Sequence, residues 1–358
     1  MAPAAPAAPA AGPKFTWGGL VDTYYMAYFN RADGTNTLVG TGVSAPAIGR
    51  AFDTNTNSAT LALSAMTLNA SMDPVAFQLD LGYGATGTII NAANGAQIGP
   101  STTMTPGVQG SFIVLQAYGT ITLLPMLTLD FGKFYTTAGA EVVPSNKNWM
   151  YSRSLLFNAI PLLHTGARAN VKVNDMLSLQ ASLVNGWNDD PDVNAWKTVG
   201  LSASITASPM VAITATTYIG KEARQGLAPE TPLDLRILAD VVAALTLSDK
   251  LGINVNFDYI KAQDNIADDY LVGVAAMARF VINDHVNVAA RGEFIRQHFD
   301  ATSSNINQEE FTLMVGLPVG KNFELRPEVR GDFSDQNVVA GGAKKNMLTG
   351  TLAALTYF

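Results

Sequence analysis

The sequence contains no cysteine, which excludes disulfides and thiolate metal sites. It is also poor in charge. Only 14% of its 358 residues are Asp, Glu, Lys or Arg, against about 25% in an average soluble domain. Bases are the scarcer sign, 22 against 29 acids, for a net charge of −7. That balance, with a pI near 5.0, argues against a nucleic-acid partner. Long apolar runs are missing too. A helical membrane span needs roughly 20 consecutive apolar residues. The best candidates, LVGVAAMARFVI and ADVVAALTLSDK, are interrupted by Arg279 and stopped by Asp249. Residues 1–14 have neither the basic start nor the apolar stretch of a secretory signal. They read as an Ala/Pro-rich periplasmic linker of polyproline character, following a removed signal.

Apolar residues are in ordinary supply, at 48% of the chain and a mean hydropathy of +0.16. An ordinary apolar share with few charges implies grease spread over a surface. Its arrangement has period two. In PLDLRILADVVAALTLS, Leu235, Ile237, Ala239, Val241 and Leu245 share one face, and Asp234, Arg236, Asp240 and Thr246 the other. LGINVNFDYIK, VAFQLDLGYG and VAITATTYIG repeat the pattern. NFELRPEVRGDFS is sharpest: Glu324, Arg326, Glu328, Arg330 and Asp332 alternate with Phe323, Leu325, Pro327, Val329, Gly331 and Phe333. Pro327 removes a ladder donor, so a bulge is expected there.

Tight-turn sequences fall at 71–75, 123–127, 173–177, 207–211, 247–251, 282–286 and 319–323. Longer polar or Gly-rich stretches fall between them, at 31–58, 88–110, 136–160, 188–195, 222–231, 263–269, 300–308 and 334–344. Short and long connections therefore alternate. The fold class expected is all-β: a transmembrane antiparallel up-and-down β-barrel of about 16 strands, with short periplasmic turns and long extracellular loops. Spanning takes roughly 9–11 tilted residues. Residues 15–358 form one barrel domain on this reading. Because a sheet in hydrocarbon must close on itself, the apolar face meets lipid and the charged ladder faces the lumen. A soluble β-sandwich also alternates, but its strands are usually about 5–6 residues long. Aromatics near strand ends, among them Phe15, Trp17, Tyr25, Phe29, Phe323, Phe333 and Phe358, fit interfacial girdles.

The stretch 127–189 carries GKF at Gly132–Phe134, GAE at Gly139–Glu141, NWMYSRS at Asn148–Ser154, HTGAR at His164–Arg168 and NGW at Asn185–Trp187. With the opening GGLVDTYYMAYFN, it resembles the outer-membrane beta-barrel porins of the type-2, OmpL-like class. The remainder matches in pattern. The resemblance implies a porin-like barrel in a Gram-negative outer membrane and no particular solute. The terminal Tyr357–Phe358 resembles the aromatic end read by the barrel-assembly machinery.

GYGATG (82–87) matches G-x-G-x-x-G, which binds dinucleotides only between a strand and a helix. TIINAANGAQIGP follows without helical period, so Gly82 and Gly84 are expected to leave room in the lumen, and no cofactor is expected. His164, His285 and His298 share no metal-ligand spacing. Parity places Asp22, Asp80, Asp130, Asp234, Asp240, Asp258, Glu293, Glu324, Glu328 and Asp332 inside, with Arg168, Lys172, Arg236, Arg279, Arg291, Arg326 and Arg330. They either set a field that orients solutes or pair to knit the wall. The slight excess of acids points to weak cation preference. Lys133 falls outward, at a bulge, near the head groups or at a subunit contact. SRSLLFNAIPLL, ending 136–160, is apolar for a loop and needs burial. It either folds into the barrel, with Glu141, Lys147, Asn148 and Arg153 at a constriction, or packs over the rim or a neighbour. The expected function is passive diffusion of small hydrophilic solutes or ions, without catalysis. A plugged barrel acting through its loops is the alternative, and a barrel hydrolase a third. A homo-oligomer stays open.

Overall fold

The structure, a computed structural model, describes residues 12–29, 49–93, 111–192, 194–222, 234–263, 268–337 and 344–358. It contains β1 (Lys14–Tyr28), β2 (Ala59–Met72), β3 (Val75–Gly84), α1 (Ala85–Ala93), β4 (Ser111–Leu124) and β5 (Leu127–Tyr135). Next come α2 (Leu155–Ala159), β6 (Leu163–Lys172), β7 (Leu177–Val184), β8 (Thr198–Ser208), β9 (Val211–Glu222) and β10 (Asp234–Ser248). The last are β11 (Leu251–Gln263), β12 (Asp268–Asn283), β13 (Val286–Phe299), β14 (Ser304–Val319), β15 (Phe323–Ser334) and β16 (Asn346–Tyr357). Each strand pairs with its sequence neighbours, and β1 pairs with β16, closing a barrel of 16 antiparallel strands. The first strand starts at Lys14, one residue earlier than expected; residues 1–11 of the linker lie outside the described residues.

Closure follows from the chain ends. Leu20 faces Tyr357. Gly19 and Phe358 exchange backbone hydrogen bonds of 3.2 and 3.1 Å. Gly19 makes room for the Phe358 ring, which would lie 2.6 Å from a Cβ there. At the same seam, Trp17 meets Phe358 edge-on at 4.8 Å. Side chains build the short turns: Asn174 Oδ1 accepts from the Met176 and Leu177 amides, and Ser248 Oγ from those of Lys250 and Leu251. These are the turn-mimicking roles Asn and Ser favour.

Outward positions are apolar and exposed, as at Trp17 (70%), Phe112 (59%) and Leu352 (52%). Leu235, Val255 and Phe323 also lie on this face, partly exposed. Inward positions of β12 to β16 and of β1 from Leu20 to Met26 are mostly buried. An apolar cluster fills part of the interior, joining Leu20, Leu63, Ile113, Leu115, Leu163, Tyr218 and Leu238 with Phe52, Ile90, Phe157 and Ile160. Leu20 and Leu238 sit on β1 and β10, on opposite sides of the ring.

Several expectations need correction. Pro327 produces no bulge: Met314↔Glu328 and Leu317↔Leu325 keep one register, as does the β16 side. The ladder only omits the pairs between. The bulges within β1–β4 lie between Asp22 and Thr23 and between Asp80 and Leu81. Each turns two consecutive residues inward, Ala62 with Leu63 and Leu115 with Gln116, all buried. They supply apolar side chains to the interior, as bulges re-aim side chains. Residues 85–93 form α1 where no helical period was read. The G-x-G-x-x-G stretch does join a strand to a helix, but the chain returns antiparallel in β4. Gly82 and Gly84 do not leave open lumen. A Cβ at Gly82 would lie 3.0 Å from Leu63 and 3.1 Å from Leu115, and Gly84 has φ +142 with Ala62 O 2.5 Å from such a Cβ. Leu238, on the expected polar face, is fully buried. β14 begins at Ser304, so 300–308 is mostly strand after a turn at Asp300–Thr302.

Candidate functional site

Residues 136–160 fold inside the barrel and meet five strands in turn. Thr137 Oγ1 lies 3.1 Å from Tyr218 OH on β9. The Ala140 amide donates to Asn256 Oδ1 on β11 (2.9 Å). The Leu155 and Leu156 amides, opening α2, donate to the Glu293 carboxylate on β13 (2.7 and 2.5 Å). The Tyr151 and Ser152 amides donate to Glu328 on β15 (2.7 and 3.1 Å). Ser145 Oγ and Tyr151 OH donate to Asp22 on β1 (2.6 and 3.0 Å). Wall carboxylates thus satisfy loop amides that could not otherwise be buried. Ser154 caps α2 by accepting from the Phe157 amide (3.0 Å), a favoured N-cap role for serine.

Wall arginines supply the complementary half. Arg291 pairs with Glu310 (2.7 Å) and Glu141 (2.9 Å), and donates to Ser152 O (2.8 Å). Arg326 pairs with Glu324 (2.8 Å) and donates to the carbonyls of Ser145 and Asn148 (2.8 and 3.0 Å). Arg330 pairs with Asp332 (2.6 Å) and donates to Arg153 O (2.6 Å). Among the four loop candidates, Glu141 also holds the Ser154 amide (2.9 Å), and Asn148 clips the loop through Val142 N (2.9 Å) and O (2.7 Å). Arg153 donates to Tyr151 O (2.7 Å) and to Val143 O. All three are buried, and Lys147 alone is exposed.

The other wall candidates fall into local groups. Asp80 accepts from Gln116 (2.6 Å) and Gln78 (3.1 Å). Asp130 pairs with Arg168 (2.7 Å), whose guanidinium lies 4.2 Å from the centre of the Phe134 ring. Asp240 and Asp258 face each other in register and share the Asn256 amide (2.8 and 3.3 Å). Arg236 lies over Trp187 (5.6 Å). Arg279 donates to Asn287 Oδ1 (3.3 Å). Lys172 pairs with Asp175 at a short turn (2.8 Å), exposed and away from the inserted segment. Lys133 keeps its outward register opposite Ala117 and pairs with Asp190 of the 185–197 connection (2.6 Å). His164 is buried against Tyr218, with ring centres 4.4 Å apart.

Sequence reasoning missed a second inserted segment, 49–57. Arg50 pairs with Asp53, donates to Thr349 (2.7 Å) and reaches Asp332 (3.4 Å). Phe52 meets Phe157 at 5.7 Å, and the Asn57 amide binds Met26 O (2.7 Å). The available signal was an Arg-x-x-Asp pair flanking a phenylalanine inside a supposedly exposed loop.

One loop acid is expected to respond to pH. Burial first, then the charges of Glu222 and Asp192, push Asp189 up to about 7. The folded state holds a proton there that the unfolded chain gives up near the ordinary carboxylate range. Local stability is therefore fully present at low pH and falls as pH rises toward 7. Amide exchange in 185–192 is expected to be slower at pH 5 than at pH 8, after correction for intrinsic rates. Asp189→Asn should flatten the difference.

The sequence model of the beta-barrel porin-2, OmpL-like family matches residues 14–358. No curated relative matches the chain in sequence. Solved structures of similar fold include OmpT of Vibrio cholerae (13% identity, 98% of this chain and 99% of that one, TM-score 0.64). Others are an anion-selective porin from Comamonas acidovorans (12%, 97% and 100%, TM-score 0.60) and OmpF of Salmonella typhi (11%, 97% and 98%, TM-score 0.61). At these identities the likeness is one of fold.

Proposed function

Because this chain belongs to the beta-barrel porin-2, OmpL-like family of the Gram-negative outer membrane, we propose that it lets small hydrophilic solutes or ions diffuse passively and catalyses no reaction. The observation that carries this reading is the polar inner face of β6 to β9. Asn170, Gln180, Ser202, Ser204 and Thr214 are partly exposed there, inside a wall whose outer face is apolar. A 16-strand barrel is wide enough for an aqueous path. The segment 136–160 narrows that path. Asp22, Glu141, Arg153, Glu293, Arg291, Arg326, Glu328 and Arg330 act chiefly by seating it. Planar-bilayer recording tests the proposal: purified protein should give discrete current steps.

A second reading has its own support. The apolar cluster reaching from Leu20 to Leu238 fits a plugged barrel that works through its outer loops. Protein that inserts but never conducts favours it.

The partners proposed are outer-membrane lipid, the barrel-assembly machinery through Phe358, and further copies of the chain. Vibrio cholerae OmpT has been solved in a trimer form, which supports the last. Phe358→Ala is expected to lower the yield of folded barrel several-fold, since Phe358 also seats Trp17 and Gly19. Heat-modifiable gel mobility reads this directly.

A further inference from the structure

Counting inward charges favours cations, yet a passing solute meets only the charges left accessible. Ten inward-facing acids, Asp22, Asp80, Asp130, Asp240, Asp258, Glu293, Glu310, Glu324, Glu328 and Asp332, are buried. Most are spent on arginines, amides or loop backbone. Two bases beside the inserted segment remain accessible. Lys147 is exposed, and Arg279 is half-buried. Among the described residues neither has an acid within 4.0 Å, and the Arg279 side chain spends itself on the neutral Asn287 (3.3 Å).

The two lie at the same margin of the inserted segment. Arg326 grips the carbonyls of Ser145 and Asn148, on either side of Lys147. One residue further, Trp149 reaches the inner face of β11 at Gly252, where a Cβ would come within 3.0 Å of its ring. Gly252 is the register partner of Arg279. Resting on the porin reading above, we infer that Lys147 and Arg279 form a basic constriction and that the channel prefers small anions. Coulomb's law at about 8 Å in water makes each unpaired charge worth roughly a twofold change in local monovalent-ion concentration. Two charges, each raising the anion and lowering the cation about twofold, give a chloride-to-potassium permeability ratio on the order of 15 at low salt, falling as salt screens them.

The test is the reversal potential of single channels in a tenfold KCl gradient. The intact protein should reverse on the chloride side. Lys147→Gln and Arg279→Gln should each move it toward zero, and Lys147→Glu with Arg279→Glu should carry it to the potassium side. Among the described residues neither side chain has an acidic partner to lose, and heat-modifiable mobility confirms that the variants fold. A current that reverses on the potassium side in the intact protein, or a potential unmoved in the folded double variant, contradicts the anion preference alone. Inserted protein that passes no current contradicts the porin reading, and the preference falls with it.

Discussion

Replacing residues 142–156 with a short Gly-Ser linker is expected to raise single-channel conductance several-fold while the barrel still assembles. The strand ladder does not include these residues, so closure between β1 and β16 is untouched. What leaves is the segment held by Asp22, Glu293 and Glu328, with Met150, Leu155 and Leu156, which pack on Leu271, Ala275 and Ile295. The uncovered wall charges then face water instead of loop amides, and water satisfies them at little cost. Unchanged conductance in folded protein would place the narrowest point elsewhere, at 49–57 and α1, which pack on the β1–β4 side.

Arg291→Met should have the second-largest effect. The Arg291 side chain is fully buried and serves Glu310, Glu141 and Ser152 O together. Removing one partner of a buried ionic group costs about 3–5 kcal/mol, because the other charges stay buried and unpaired. The loop can escape this cost by lifting off, since local opening takes less than global unfolding. The open population of 136–160 should rise on the order of 10²- to 10⁴-fold, read by amide exchange and limited proteolysis. Adding Glu141→Gln and Glu310→Gln should restore much of the protection, because replacing a whole buried ionic group is often nearly neutral. Equal protection in the single variant would mean that Arg291 does not seat the loop.

The barrel was legible because period two is imposed by lipid on one side and water on the other. The ladder from Glu324 to Asp332 and the alternation of short and longer connections each carried that constraint. The inward parity of Asp22, Glu293, Arg291 and Glu328 was legible for the same reason. Their task was not. Parity says which way a side chain points, and nothing about the loop amides it will meet. The burial of SRSLLFNAIPLL could be argued from its apolar character, but its seat depends on contacts such as Leu155 with Glu293, which are 138 residues apart. The bulges at Ala62 and Leu115 break strict alternation by one residue, which a period-two template absorbs as noise. Pro327 misled for the opposite reason: losing one donor costs less than shifting two registers.

The most direct test of a lipid-spanning barrel narrowed from within is the current carried by the unmodified protein in a planar bilayer. Discrete steps are predicted, each well below those recorded once 142–156 has been replaced. Chain that enters the bilayer and carries no current, or that already conducts as fully as the replaced form, would contradict the account.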